Sequence, residues 1–252
     1  MIYLILGFLL VCLKTGSQVL MRAKQDLYIA AMKCLAGLLF VCLYVSQGLF
    51  AQMATPPFRK EIDAFKKKDS LQMPAPKSIL LIGSSSFTKW TDVQDYFPGY
   101  PMLNRGFGGS SLPDLIRYVD EIVFPYKPKQ VIVYCGENDI AASDTITTKL
   151  VLQRFQQLFY LIRNKLKKVP VAFVSIKPSP SRWKFEPVIV EANTLIKKFL
   201  RKQSKTKFIN VHDPMLNADG SVMTDIFIGD NLHMNAKGYV IWQKIMKRAL
   251  KS

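Results

Sequence analysis

Ile79-Leu80-Leu81-Ile82-Gly83-Ser84-Ser85-Ser86-Phe87-Thr88-Lys89-Trp90 decides how the rest of the chain is read. Four apolar residues run into a glycine and then three hydroxyls. This is the pattern of a buried strand ending in a tight turn that lifts a serine off the edge of a sheet. A strand apolar on both faces belongs to a parallel sheet covered by helices on both sides. Ligands of such sheets sit at the carboxyl ends of the strands. A serine there is a candidate nucleophile that needs a base from elsewhere in the chain. Taken alone, Gly-Ser-Ser-Ser is equally a plain turn.

Downstream, strand and helix patterns alternate. Short apolar runs at 102–104, 130–135, 171–176 and 208–211 predict four more strands after the first at 79–82. Ser111-Leu112-Pro113-Asp114 opens a helix with a capping serine, an early proline and an acid in the first turn. Leu112, Leu115, Ile116, Val119, Ile122 and Val123 then keep one face apolar. Helices are also predicted over 150–166 and 188–200. Asn235 caps a last one with Tyr239, Trp242, Ile245 and Met246 as its buried stripe. Trp90 and Trp242 are expected in the core. Strands separated by helices mean crossover connections and a parallel sheet. The expected fold is a three-layer α/β/α domain with a five-stranded parallel sheet in flavodoxin-like order 2-1-3-4-5.

The 252 residues suffice for one such domain with a sizeable core. The net charge is +17, from 35 Lys and Arg against 18 Asp and Glu. The basic residues concentrate at 66–68, 165–168, 197–202 and 244–248, mostly on polar sides of predicted helices. Solvated faces explain them, with attraction to an anionic envelope or polysaccharide as the lesser reading. No zinc-finger spacing or aromatic–basic interleaving points to nucleic acid.

Residues 1–13 are apolar but too short to span a bilayer. Met32-Lys33, the apolar run 34–45 and Gly48-Leu49-Phe50-Ala51-Gln52 have the layout of a secretory signal. Residues 1–51 are therefore expected to be a signal peptide or an uncleaved N-terminal anchor. Met32 is expected to be the working start, with 1–31 an upstream extension. The protein is expected to be exported, periplasmic or secreted, with membrane contact only through this segment. Residues 52–77, with Pro56-Pro57 and Pro74-Ala75-Pro76, are expected to form a lead-in helix and linker, and 78–252 the α/β domain. Cys12, Cys34 and Cys42 lie in the leader, so Cys135 alone remains beyond it and cannot form an intramolecular disulfide. Inside an apolar strand it is an inert core residue rather than a nucleophile.

The loops after the strands share one sheet edge, and four of them carry chemistry. They are Gly83-Ser84-Ser85-Ser86, the glycine-rich stretch Asn104 through Ser111, Gly136-Glu137-Asn138-Asp139, and further on Asp230-Asn231-Leu232-His233. A serine, glycine backbone, a side-chain amide and an Asp-x-x-His pair are what acyl transfer needs: nucleophile, oxyanion donors, base and orienter. These blocks, in this order, resemble the SGNH (GDSL-type) hydrolase family over residues 58–250. The Gly-Asp-Ser block is Gly83-Ser84-Ser85, the glycine block Gly108-Gly109, the third Gly136-x-Asn138-Asp139, the fourth Asp230-x-x-His233. The departure is Ser84 where the family usually has aspartate, which touches the hydrogen bonding of that turn.

The resemblance implies that Ser85 is the nucleophile, His233 the base and Asp230 its orienter. The oxyanion would be held by the N–H groups of Ser85 and Gly109 and the amide of Asn138. His212 is the rival base. Its neighbour Asp213 is expected to point the other way on an extended chain, whereas Asp230 and His233, three apart, share a face in a helical turn. Arg182-Trp183, after the fourth strand, is a candidate substrate-binding pair for a sugar ring or an anionic group, or else a packed loop anchor. A nucleophile elbow needs glycine where Phe87 stands, and a dinucleotide fingerprint needs glycine where Ser111 stands. With only His212 and His233 and one cysteine beyond the leader, no metal and no cofactor are expected. The reading is an exported serine esterase acting on small acyl esters, first of all acetyl groups on carbohydrate. A lipid-type (lysophospholipase-like) acylhydrolase comes second, and a non-catalytic envelope-binding domain is the alternative from another class.

Overall fold

The protein's structure, a computed structural model, describes residues 55–143 and 145–251, and upstream only 21, 25, 28, 29 and 32–37, which are helical. The chain divides into two units, Met1–Thr55 and Pro56–Ser252. The expected leader and its cleavage point lie almost wholly outside the described residues. Among those described, no helix is long and apolar enough to cross a membrane.

The second unit is built on five parallel strands: β1 (Ile79–Gly83), β2 (Met102–Gly106), β3 (Gln130–Tyr134), β4 (Val171–Val174) and β5 (Thr206–Ile209). Their order is β2-β1-β3-β4-β5, as the alternating pattern predicts. Side chains alternate across the sheet and feed two cores. Leu80, Ile82, Val131, Val133 and Phe173 face one layer; Ile79, Leu81, Ile132, Tyr134 and Val174 face the other. The first layer holds α1 (Arg59–Leu71), α4 (Leu112–Ile122), α6 (Thr148–Lys165) and α7 (Glu186–Leu200). The second holds the short α3 (Val93–Tyr96) and α8 (Ala236–Met246), with Trp90 stacked on Tyr239 and Trp242 against Tyr134. Trp90 and Trp242 are both fully buried.

The start of α4 is fixed by Asp114, whose Oδ2 accepts from the Ser111 N–H at 2.9 Å and from the Ser111 hydroxyl at 2.6 Å. Asn235 caps α8 by accepting from the Lys237 N–H at 2.9 Å. Two one-to-two-turn helices, α2 (Ser85–Thr88) and α5 (Glu137–Ala142), follow β1 and β3 directly. They and α3 are too short to show a 3.6-residue period, so the sequence reads there as loop.

β5 begins two residues before its apolar run, because Val171 pairs with Thr206 and the ladder ends at Val174–Ile209. As an edge strand it can carry the exposed Lys207 in its first half. The chain leaves the ladder where the buried Ser175 hydroxyl accepts from the N–H groups of Val211 (2.9 Å) and His212 (3.0 Å).

Candidate active site

The turn after β1 depends on one glycine. Gly83 has φ +151°, and a Cβ there would stand 1.9 Å from the Tyr134 carbonyl oxygen. Without a side chain, Gly83 lets β1 and β3 stay paired while the Ser84 N–H donates to that same carbonyl at 3.0 Å. Ser85 is then the first residue of α2, half-buried at the carboxyl edge of the sheet. The Phe107 N–H donates to Gly83 O at 2.9 Å and the Ser110 hydroxyl to the same oxygen at 3.3 Å, which brings the glycine block alongside. A Cβ on Gly108 would lie 4.0 Å from that of Ser85. Gly109 is exposed with φ +83°. Among the described residues neither the Ser85 N–H nor the Gly109 N–H has a hydrogen-bond acceptor. The unpaired Ser85 N–H stands at a helix start, where a donor looks for a partner outside the helix, and the Gly109 N–H lies in the glycine loop that packs alongside it.

Asn138, on α5, completes this edge. Its Nδ2 donates to Ser84 Oγ at 2.7 Å and to Ser110 O at 3.0 Å. Its Oδ1 accepts from Arg182 Nη2 at 3.1 Å, while Arg182 Nη1 donates to Glu137 O at 3.0 Å. Arg182 therefore sets which way the amide faces. Both amide protons are engaged, so an incoming oxygen anion would replace Ser84 or Ser110 rather than fill a gap. The aspartate of the same block does another job. Asp139 Oδ2 accepts from the Leu112 N–H at 2.9 Å and Oδ1 from Arg154 at 2.8 Å, tying the start of α4 to α5. Burial pushes its pKa up, with those donors opposing.

Beneath Asn138 lies a buried set that the sequence did not flag. Lys177 Nζ, fully buried, donates to Glu137 Oε1 at 3.0 Å, and Tyr134 OH donates to Glu137 Oε2 at 2.7 Å. Burial lowers the lysine pKa and raises the tyrosine's well above its usual value. The only sequence signal was a lysine continuing an apolar strand just before Pro178. Cys135 is fully buried and its thiol is pushed well up by desolvation, so it is no nucleophile.

His233 and Asp230 form a pair, with Nδ1 2.6 Å from Asp230 Oδ2. The pair is made by a turn rather than a helix. Asp230 Oδ1 accepts from the N–H groups of Leu232 and His233, both at 2.9 Å, and Asn231 takes φ +55°. Desolvation pushes the Asp230 pKa up, but the imidazole and the two N–H donors outweigh it and hold the carboxyl well below the usual carboxylate range. The Ser181 N–H donates to Asn231 O at 3.0 Å, which joins this turn to the segment bearing Arg182. Tyr239 OH donates to Ser86 O at 2.9 Å, joining α8 to the turn after β1. Among the described residues Ser85 Oγ and His233 Nε2 are not hydrogen-bonded to each other.

His212 is also paired, against expectation. It is not extended (φ −64°, ψ −62°), so Asp213 Oδ1 does reach its Nδ1 at 2.9 Å. Its Nε2 is taken by Glu186 Oε1 at 2.7 Å. With both nitrogens engaged and the ring buried, it has no free nitrogen to accept a proton. Trp183 stands beside Arg182 and is 39 % exposed. Among the described residues no three His, Cys, Asp or Glu side chains are grouped to hold a metal ion.

A profile of the GDSL-like lipase/acylhydrolase family matches residues 82–241, more than half of the chain, and takes in every residue just described. The chain belongs to the GDSL-like lipase/acylhydrolase family. This GDSL-type protein is accordingly a hydrolase of ester bonds. No curated protein matches it by sequence. Its fold is similar to that of a Streptococcus pneumonia protein described provisionally as a platelet activating factor, at 18 % identity and TM-score 0.67, covering 84 % of this chain and 99 % of that one. It is similar to a GDSL-like lipase from Bacteroides thetaiotaomicron at 18 % identity and TM-score 0.63, covering 75 % and 96 %. It is also similar to an acetylxylan esterase from Geobacillus stearothermophilus at 13 % identity and TM-score 0.56, covering 69 % and 94 %.

Proposed function

We propose that this GDSL-type hydrolase is an exported serine esterase that removes small acyl groups, acetyl first of all, from carbohydrate. Ser85 attacks the ester carbonyl. His233 takes its proton through Nε2 and returns it to the leaving alcohol, and the resulting acyl-enzyme is hydrolysed by water through the same base. Asp230, kept ionised, holds the ring and stabilises the imidazolium. The N–H groups of Ser85 and Gly109 and the Asn138 amide receive the oxyanion.

The observation that carries this reading is the pair of unpartnered N–H donors, that of Ser85 itself and that of Gly109 in the glycine loop packed alongside it. The carbohydrate half rests on Trp183, whose exposed face next to Arg182 suits a sugar ring, and on the fold shared with an acetylxylan esterase. The export half rests on the apolar run 34–45 and the small residue Ala51.

The test is turnover of a panel of acyl esters and acetylated oligosaccharides by the full chain, wild type beside Ser85→Ala. Acetate release from the oligosaccharides, absent in Ser85→Ala, is expected. Hydrolysis confined to long-chain acyl esters would replace the carbohydrate reading with a lipid one. Turnover by Ser85→Ala equal to wild type would remove the nucleophile assignment.

A further inference from the structure

The charge of +17 is the largest feature that ester hydrolysis leaves unexplained. At the amino ends of β3, β4 and β5, on the sheet edge opposite Ser85, lies a cavity of about 380 Å³. Lys168, Lys205, Lys207, Arg248 and Lys251 line it, and no Asp or Glu does. Among the described residues none of the five takes part in a salt bridge. All five are exposed, but the backbone segments that carry them are tied in place. The buried Gln130 side chain donates to Ala249 O at 2.9 Å and accepts from the Lys251 N–H at 2.9 Å, fastening the segment after α8 across the strand ends. Arg163 donates to Val169 O and to Ser204 O, each at 3.0 Å, holding together the two loops that present Lys168 and Lys205.

Five like charges around one cavity repel one another, and a low-dielectric wall focuses their field. A ligand with several closely spaced negative charges relieves that repulsion at several points at once. The volume lies within the range of small-molecule sites, about 300–1,000 Å³, well above what a single halide fills. Four ammoniums acting as point charges with one guanidinium suit phosphate groups. We propose that this cavity binds a phosphate-bearing anion with at least two charged groups, at a site separate from the catalytic edge. The proposal is independent of the substrate reading above.

The test is thermal unfolding of the full chain at constant ionic strength, with pyrophosphate exchanged for chloride. At tenfold Kd, Tm should rise by about 3–6 °C. The Lys205→Gln/Arg248→Gln variant should start with a higher Tm at low salt, since repulsion is relieved, and should lose the pyrophosphate rise. Lys168→Gln/Lys251→Gln does the same work if the first pair folds poorly, and Lys67→Gln/Lys244→Gln, outside the cavity, should keep the rise. Co-sedimentation with vesicles containing cardiolipin, whose headgroup carries two phosphates, separates two sources of the same chemistry. Binding that pyrophosphate displaces and the cavity variants lose makes the anion a lipid headgroup; a response to soluble pyrophosphate alone makes it a free one. A Tm rise that survives in both cavity variants, or that chloride matches at equal ionic strength, overturns the proposal.

Discussion

Removing the Arg182 guanidinium should slow the enzyme without touching any reacting atom. Arg182 Nη2 fixes the Asn138 amide through Oδ1 at 3.1 Å, and Nη1 fixes the Asn138 backbone through Glu137 O at 3.0 Å. A hydrogen bond to a charged group contributes about 1.5–3 kcal/mol, and the half-buried position of Arg182 favours the lower end. If roughly 1.5–2 kcal/mol of amide orientation is lost in the transition state, Arg182→Ala lowers kcat about 10–30-fold with KM little changed. Asn138→Ala, which deletes an oxyanion donor outright, should cost about 10²–10³ in kcat. Because Arg182 acts through Asn138, the double variant should be no slower than Asn138→Ala alone. Arg182→Lys, whose single ammonium cannot span both acceptors, should recover only part. The assay is steady-state hydrolysis of a small uncharged acetyl ester by the four variants at one pH. Losses that multiply in the double variant would refute the positioning argument. A rise in KM at constant kcat would make Arg182 a substrate ligand instead.

His233→Ala should abolish esterase activity in a folded protein, whereas His212→Ala should keep most of it; the reverse result in folded variants would move the base to His212, beyond the end of β5. The ring of His212 also predicts a pH effect on stability. Burial alone would lower its pKa, but hydrogen bonds to Glu186 and Asp213 win and raise it. A raised folded pKa means the contribution is complete below the unfolded value of about 6.5 and is lost as pH rises through the higher folded value. The Tm gap between wild type and His212→Gln should therefore be widest near pH 6 and narrow above it; a gap that widens with pH contradicts the pairing. Gly83→Ala places a Cβ 1.9 Å from a backbone oxygen and should cost roughly 3–4 kcal/mol, read as a lower Tm. If the protein is exported as proposed, N-terminal sequencing of material recovered from the periplasm should find a chain starting near Gln52; a chain starting at Met1 or Met32 would mean an anchored protein.

Where burial on both faces dictates composition, the sequence was legible. β1, β3 and β4 announce themselves as apolar runs, and their order follows from the helices between them. β5 was misplaced by two residues because an edge strand is free to begin with Thr206 and an exposed Lys207. The one-turn helices after β1 and β3 left no periodic trace. Asp213 reaches the ring of His212, contrary to the expectation for an extended chain, because the chain turns there. What disqualifies His212 is Glu186, 26 residues away, a contact that only tertiary structure supplies. The pairing of Asp230 with His233 is present, but a turn with Asn231 in the left-handed region makes it, not a helical face. The link from Arg182 to Asn138 spans 44 residues and has no local signature at all.

The family match opens at residue 82, inside β1, but the folded body does not. Arg105, 5 % exposed on β2, is neutralised from α1 by Asp69, which also accepts from Tyr126 OH at 2.6 Å. Arg59 on the same helix grips both oxygens of Glu121 at 2.9 Å, and Phe58 lies edge-on to Phe107, two residues from Gly109. An expression boundary drawn at residue 78 would strand a buried guanidinium, a fault that costs about 3–5 kcal/mol in other proteins. It would also remove Phe58 from its packing against the glycine loop. A workable cut for producing the folded body by itself therefore falls before Pro56, with α1 treated as part of it.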